Sequence, residues 1–275
     1  MASVGQATRA GRPTARVAER PSRRADRSVQ RSNAAYDWDE FDPDLYVKVN
    51  YQELHDDDAT ILGAVGRFFE REASRTRGLQ GIDVGAGANV YPTLTMLPYC
   101  ESVTLFERSR ANRNWLVGQR EHYSEIWNPY WDVLATRETY QAIDPRECFR
   151  QRMTVRYGDV FRPASRDRWG IGTMFFCAES ITQQEREFYT ALDNFIGMLK
   201  PGAPFAAAFM RESRGYRVAG IDFPAVSITP VDVEHRLEPL VDYLEVLPVV
   251  SSKPLREGYK GMILALGRKQ RRTRS

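Results

Sequence analysis

The chain has 275 residues and a mass of 31.5 kDa, a length that suits one large domain or two small ones. With 42% hydrophobic and 27% charged residues, its composition excludes collagen-like, fully disordered and coiled-coil proteins. No run of about 18 apolar residues occurs, so we expect no membrane span, and the N-terminus lacks the apolar stretch of a secretory signal. The three cysteines form no CxxC pair, which argues against a disulfide framework and favours a cytoplasmic location.

The net charge of +3 is unevenly distributed along the chain. Residues 1–34 carry a net charge of +6 and residues 268–275 carry +5, which leaves −8 for the residues between them. Residues 1–35 have almost no large apolar side chain, so we expect a disordered basic tail there and a second basic tail at 268–275. These tails could bind an acidic protein, nucleic acid or an anionic membrane weakly, or serve only as solubilising ends or as a transit-type leader.

Residues 36–267 alternate between strand and helix patterns and are expected to form the folded domain. Its first part, 36–75, is predicted to be an N-terminal lid followed by a helix, which begins at Asp56 and carries an apolar stripe at helical spacing. The predicted strands are 79–84, 102–106, 153–157, 172–177, 204–210, 244–250 and 261–266. The predicted helices are 92–97, 109–123, 183–199 and 231–240, with a helical insert over 124–151.

This alternation predicts an α/β fold with a doubly wound, Rossmann-like, mostly parallel sheet. The short connection between the last two strands predicts one antiparallel strand at the edge of the sheet. The N-terminal lid would add a helical cover to this sheet.

Small and acidic residues follow the first three predicted strands, where such sheets bind ligands. The first strand leads through Asp83 into Gly85, Ala86 and Gly87, whose small size allows a ligand close to the backbone. The start of the helix that follows is expected to offer free amides to an anionic group.

The second and third strands end in polar residues that suit a nucleoside. Glu107 could accept both ribose hydroxyls, and Asp159 with Val160 could contact an adenine edge. Val90 stands where the dinucleotide motif GxGxxG needs its third glycine, and an acidic Asp83 suits a cationic ligand better than a diphosphate. The residues therefore favour S-adenosylmethionine (SAM) over a dinucleotide. The three carboxylates could otherwise be ordinary solvated side chains at strand ends.

These residues resemble class I SAM-dependent methyltransferases, and more narrowly the nicotinamide, phenylethanolamine and indolethylamine N-methyltransferase family. The resemblance covers roughly residues 36–268 and includes an aromatic insert before the third strand. The similar segments are FDPDLYVKVNY at 41–51, DVGAGANVY at 83–91, ERSRAN at 107–112, GDV at 158–160 and LKPG at 199–202.

The resemblance implies a cofactor role for residues in each of these segments and in one further strand end. It implies that the methionine end of SAM is lined by Tyr46, Tyr51 and Tyr91 and approached by the backbone of Gly85, Ala86 and Gly87. It implies that the ribose is held by Glu107 and Asn112, the adenine by Asp159 and Val160, and that Cys177 with residues 176 and 178 lies under the methionyl group. Each tyrosine could alternatively be ordinary core or surface packing.

The implied reaction is methyl transfer by in-line displacement, in which alignment supplies most of the rate. The candidate catalytic residues are Tyr46, whose ring can stabilise positive charge, and the acceptor contacts Glu179 and Glu212. Phe209 or Met210 occupies a position that is acidic in the small-amine members of the family, so the carboxylate is absent or displaced to Glu212. Glu179 and Glu212 could instead be salt-bridged surface carboxylates, and Tyr216 is a further candidate for closing the pocket.

The expected partner is a small-molecule methyl acceptor, with an amine or a heteroaromatic nitrogen as its reactive group. The alternative is a SAM-binding module whose arginine-rich tails contact proteins or nucleic acid. The three histidines are scattered without ligand spacing, so we predict no metal site, and we expect a monomer.

Overall fold

The computed structural model describes residues 30–76, 78–163, 165–250 and 260–271. Residues 1–29 of the predicted N-terminal tail and 272–275 of the predicted C-terminal tail therefore lie outside the described residues. Residues 30–35 are described, and Asn33–Ala35 form a short 3-10 helix with Asn33 buried. Arg268 and Lys269, which the sequence places in the C-terminal tail, belong to the last strand.

The elements follow the predicted order with small differences at their ends. The helices are α1 (Pro43–Asn50), α2 (Asp56–Ala73), α3 (Tyr91–Leu94), α4 (Arg110–Glu121), α5 (Asn128–Leu134), α6 (Glu138–Gln141), α7 (Pro145–Arg152), α8 (Glu185–Met198) and α9 (Pro230–Leu237). The strands are β1 (Leu79–Val84), β2 (Cys100–Glu107), β3 (Met153–Tyr157), β4 (Ile171–Phe175), β5 (Pro204–Met210), β6 (Tyr216–Val218), β7 (Ile221–Phe223), β8 (Val241–Val249) and β9 (Met262–Lys269).

Helix α1 belongs to the N-terminal lid and starts on two local signals. Pro43 occupies its first position, and the side chain of Asp42 accepts a hydrogen bond from the amide of Leu45 at 2.9 Å. Helix α2 begins with three acidic residues that favour the positive end of its dipole. Its apolar stripe, which includes Phe68 and Phe69, is fully buried as the spacing predicts.

The seven strands of the main sheet lie in the order β3-β2-β1-β4-β5-β9-β8. All neighbouring pairs are parallel except those of β9, which runs antiparallel to both β5 and β8. The structure confirms the doubly wound α/β fold and puts the antiparallel strand next to the edge strand β8. The strand order reverses between β1 and β4, and ligands bind at such a switch point.

The sheet has a buried layer on each face. One face packs on α8 through Phe188 and Phe195, while the other packs on α2 and the aromatic insert, where Trp127 and Tyr130 are fully buried. Burying one large apolar side chain contributes about 1.5–3 kcal/mol, so these layers hold the strand ends in place. Within the described residues, no helix combines the length and hydropathy that a bilayer crossing requires.

The hairpin β6–β7 was not predicted from the sequence. Its turn residues Ala219 and Gly220 both have positive φ, +50° and +83°. Such turns usually carry Asn-Gly or Asp-Gly. Ala219 stands at the first of these positions, so the sequence lacks the usual hairpin motif. The hairpin brings Tyr216 and Phe223 against the lid, with their rings stacked at 5.5 Å.

Candidate functional site

A cavity open to solvent lies at the carboxyl edge of the sheet, beside the switch point between β1 and β4. The loops after β1, β2, β3 and β4 line it from the sheet, and residues of the N-terminal lid and of the β6–β7 hairpin line the opposite side. The predicted site residues that line it are Tyr46, Tyr51, Gly85, Ala86, Gly87, Glu107, Asn112, Asp159, Val160 and Cys177.

The glycine loop after β1 requires its glycines. Gly85 has φ +65°, and a Cβ built on it would lie 2.1 Å from the Sγ of Cys177. Gly87 also has positive φ, +57°. The backbone therefore packs directly on the end of β4, and only glycine allows both this conformation and this approach.

Glu107 joins this loop to the end of β2. Its carboxylate accepts hydrogen bonds from the amides of Gly87 at 2.8 Å and Ser109 at 2.7 Å. Burial raises the pKa of Glu107, and the hydrogen bonds from Ser109 and Gly87 oppose that rise. Each carboxylate oxygen has a second lone pair, so Glu107 can order the loop and still accept a hydroxyl group.

Asn112 presents a polar atom that the protein leaves unsatisfied. Its Oδ1 is buried and has no hydrogen-bond partner among the described residues, although the residue lines the cavity. A buried unpaired acceptor costs about 1–3 kcal/mol, so a ligand hydroxyl at this point would be favoured. This acceptor beside Glu107 fits the ribose of SAM.

The residues that follow β3 line another part of the cavity. Gly158 packs on the ring of Phe106, and a Cβ at position 158 would lie 2.0 Å from that ring. The carboxylate of Asp159 accepts a hydrogen bond from the amide of Phe161 at 2.9 Å, and the carbonyl of Val160 accepts one from Asn194 at 2.9 Å. Flat apolar surface next to fixed polar groups fits an adenine ring.

Tyr46 lies at the centre of a row of aromatic rings. Its ring centroid is 5.8 Å from Tyr51, 5.1 Å from Phe41 and 6.3 Å from Tyr216. Phe223 supports this row from behind, and Trp38 stacks on Phe223 at 5.6 Å. We call the lining rings of Trp38, Phe41, Tyr46 and Tyr216 the aromatic end of the cavity.

Asp83 lies behind the cavity and does not line it. Its two carboxylate oxygens accept hydrogen bonds from the hydroxyls of Thr93 at 2.8 Å and Thr173 at 2.9 Å. Burial raises the pKa of Asp83 to about 7. The expected contact with a cationic ligand is therefore replaced by a link between β1, α3 and β4.

Tyr91 is also behind the cavity wall. It is fully buried, and its hydroxyl donates to Asp58 at 2.8 Å. Two of the amides expected to be free before the next helix are already used. Helix α3 has only four residues, the amide of Tyr91 donates to Asn89 Oδ1, and the amide of Gly87 donates to Glu107.

The two proposed acceptor carboxylates do not line the cavity. Glu179 is completely buried, and its Oε1 accepts from the amide of Met210 at 2.9 Å. Glu212 forms ion pairs with Lys260 at 2.5 Å and Arg211 at 3.4 Å. These positive charges, Lys260 above all, lower the pKa of Glu212.

Several lining residues were missed in the sequence. Asn33 and Trp38 precede the family-like segment, and Asn33 falls in the part expected to be disordered. Arg108 and Ile181 stand beside predicted residues but carry no spacing signal of their own. Only the adjacency of Arg108 to Glu107 could have suggested a role.

A mostly parallel sheet of this order, with a glycine loop after β1 and a carboxylate at the end of β2, is typical of class I SAM-dependent methyltransferases. The chain belongs to the NNMT/PNMT/TEMT family, whose family model matches residues 30–269. SAM is accordingly its cofactor, and the enzyme catalyses SAM-dependent methyl transfer.

Solved structures with a similar fold were found at low identity, whereas a search of curated proteins found no match. N-methyltransferase NodS from Bradyrhizobium japonicum WM9, in complex with S-adenosyl-L-homocysteine, is 13% identical with a TM-score of 0.46, covering 75% of this chain and 85% of that chain. A SAM-dependent methyltransferase from Methanosarcina mazei is 13% identical with a TM-score of 0.49, covering 72% and 95%. The 1,6-didemethyltoxoflavin-N1-methyltransferase from Burkholderia thailandensis is 15% identical with a TM-score of 0.46, covering 78% and 80%.

Proposed function

We propose that this methyltransferase acts on a small molecule, at an amine or a heteroaromatic nitrogen, bound at the aromatic end of the cavity. The observation that carries the proposal is the placement of this end next to the glycine loop, with Tyr46 between the two. Tyr46 contacts Tyr51, whose hydroxyl accepts a hydrogen bond from Asn89 of the glycine loop at 3.2 Å. One cavity can thus hold both reactants side by side.

We assign the cofactor to the sheet side of the cavity. Glu107 and Asn112 would hold the ribose, Asp159 and Val160 the adenine, and the loop from Gly85 to Gly87 the methionyl part. When bound, SAM supplies an electrophilic methyl group on a positively charged sulfonium. The carboxylates of Glu107 and Asp159 line this part, and negative charge there favours a cation.

The role assigned to the protein in the reaction is alignment. Tyr46 would hold the acceptor nitrogen in line with the reacting bond and stabilise positive charge through its ring, an effect of about 0.5–2 kcal/mol. Tyr216 would cover the acceptor from the hairpin. Among the described lining residues, the aromatic end has no carboxylate, which favours a flat neutral heteroaromatic over an alkylammonium ion.

A turnover assay tests this proposal directly. Purified enzyme is incubated with SAM and a panel of pyridines, quinolines, arylalkylamines and alkylamines, and S-adenosylhomocysteine (SAH) is quantified. We expect turnover with flat heteroaromatic nitrogen compounds and little with alkylamines. SAH binding without turnover on any member of the panel would contradict the proposed acceptor class.

A further inference from the structure

The segment of residues 31–39, which we call the strap, crosses the carboxyl edge of the sheet next to the cavity. On one side, Arg31 and Gln183 exchange two hydrogen bonds, from Arg31 N to Gln183 Oε1 at 3.0 Å and from Gln183 N to Arg31 O at 3.1 Å. On the other side, the amide of Arg110 donates to Asp39 at 2.6 Å. The strap therefore bridges the loop after β4 and the start of α4.

Asn33 contacts residues on both sides of the strap. Its amide donates to Glu187 Oε2 at 2.7 Å, and its side-chain Nδ2 donates to the carbonyl of Ile181 at 3.0 Å. Its side-chain Oδ1 accepts a hydrogen bond from the guanidinium of Arg108. The residue itself is only 4% exposed, and all three contacts are partly buried.

These contacts fix the part of the strap that lines the cavity. The carbonyl of Asn33 accepts a hydrogen bond from the indole of Trp38 at 3.3 Å, and both residues line the cavity. Glu187, the acceptor for Asn33 N, is itself fixed by the hydroxyl of Thr182 at 2.5 Å. Loss of the Asn33 side chain would remove its hydrogen bonds with Ile181 and Arg108 and leave the backbone contacts with Glu187 and Trp38 in place.

Arg108 gives Asn33 a connection to the cofactor. It follows Glu107 directly, lines the cavity and is the one cation among the described lining residues. Its guanidinium donates a hydrogen bond to Asn33 Oδ1, and this contact orients it. A planar guanidinium held at this point can stack on the nucleoside part of the cofactor.

We propose that Asn33 is a positioning residue for the cofactor, which acts by holding Arg108 against the nucleoside and fastening the strap over the cavity. Product SAH then leaves only when the hydrogen bond between Asn33 and Arg108 breaks and the strap moves away from the cavity. The inference rests on our assignment of the cavity as the cofactor site.

The test measures the dissociation rate of SAH from the full-length enzyme by stopped-flow fluorescence. Asn33→Ala is compared with wild type and with Asn128→Ala, which removes an exposed asparagine–arginine hydrogen bond, from Arg146 to Asn128 Oδ1 at 3.2 Å, outside the cavity lining. We expect SAH to leave Asn33→Ala roughly 10-fold to 100-fold faster, from loss of buried hydrogen bonds, and Asn128→Ala at the wild-type rate.

Steady-state kinetics and hydrogen exchange separate positioning from a structural role. Asn33→Ala should raise KM for SAM while kcat at saturation is unchanged or higher, and the amides of residues 31–39 should exchange faster than in wild type. A lower Tm with an unchanged SAH dissociation rate would overturn the inference.

Arg108→Met provides a second variant in case Asn33→Ala does not fold, because it leaves the backbone contacts of the strap in place. We expect SAH to leave this variant several-fold faster, and an unchanged rate would overturn the inference. If wild-type enzyme binds no SAH, the assignment of the cavity itself fails, and the inference fails with it. If wild type binds SAH and both variants release it at the wild-type rate, the positioning role of Asn33 is rejected and the assignment of the cavity stands.

Discussion

The carboxylate of Asp58 accepts a hydrogen bond from the hydroxyl of Tyr91 at 2.8 Å, and both side chains are buried where α2 packs on the glycine loop. Tyr91 in turn stacks on Tyr130 at 5.4 Å and meets Tyr51 edge-on at 5.9 Å. The buried Asp58 therefore supports Tyr51, which lines the cavity, through its contact with Tyr91.

This relationship predicts a pH-dependent stability. Burial raises the pKa of Asp58 from 3.8 to about 7, so the folded protein binds this proton more tightly than the unfolded chain. The protonated group stabilises the fold fully below about pH 4, and this contribution, up to about 4 kcal/mol, is lost as pH rises to about 7. Urea titrations of wild type and Asp58→Asn, which stays neutral, measure it.

The expected difference has a definite sign. The free energy of unfolding of Asp58→Asn should rise relative to wild type between pH 4 and pH 7 and stay level above pH 7. Asp83 has a similarly raised pKa, but it is present in both proteins and cancels. A difference that does not change with pH would show that Asp58 is not the titrating group.

Gly85 should be the least replaceable glycine of the loop. Gly85→Ala forces a side chain into positive φ and into the Sγ of Cys177, so we expect a loss of roughly 2–5 kcal/mol of stability. Gly118→Ala is the control, because it lies in α4 with nothing within 4 Å of the new Cβ. That variant should be roughly 0.5–1 kcal/mol more stable. Equal thermal midpoints for the two variants would contradict the described loop geometry.

Asn112 should recognise a ribose hydroxyl. Its Oδ1 has no protein partner among the described residues, so Asn112→Ala should weaken SAH binding roughly 10-fold. The loss should be specific to one hydroxyl, and calorimetry with 2′-deoxy and 3′-deoxy analogues of SAH can identify it. For one analogue, wild type and variant should bind with equal affinity. Equal losses for SAH and both analogues would instead indicate a general effect on folding.

Substitution of Glu212 should leave kcat/KM nearly unchanged, whereas loss of the Tyr46 ring should lower it. Glu212 is ion-paired with Lys260 and does not line the cavity, so Glu212→Gln should keep kcat/KM within about twofold. Tyr46→Ala should lower kcat/KM at least 10-fold, whereas Tyr46→Phe, which keeps the ring, should retain most of it. A tenfold loss of kcat/KM in Glu212→Gln would instead indicate that Glu212 contacts the methyl acceptor.

The sequence predicts the sheet and the glycine loop because their signals are local. Strand positions follow from apolar runs, and Gly85, Glu107 and Asp159 follow from their places at strand ends. Asp83 was misjudged because its partners, Thr93 and Thr173, come from two other elements. Nothing in the spacing along one chain shows that these threonines satisfy its carboxylate.

Contacts between distant segments explain the other differences. Asn33 lies about 150 residues from its partners Ile181 and Glu187. Its burial therefore cannot be predicted from the local composition, which resembles that of a disordered tail. Glu179 stands at the right position in the sequence, yet its carboxylate faces the amide of Met210. Side-chain direction at the end of a strand depends on packing that periodicity does not report.

Calorimetric titration of SAH into wild type and Glu107→Ala tests the central assignment most directly. The account predicts one SAH bound per chain in wild type, and binding at least 10-fold weaker in Glu107→Ala, because the variant loses the group that orders the glycine loop and accepts a ribose hydroxyl. A folded wild-type protein that binds no SAH, or a Glu107→Ala variant with unchanged affinity, would contradict it.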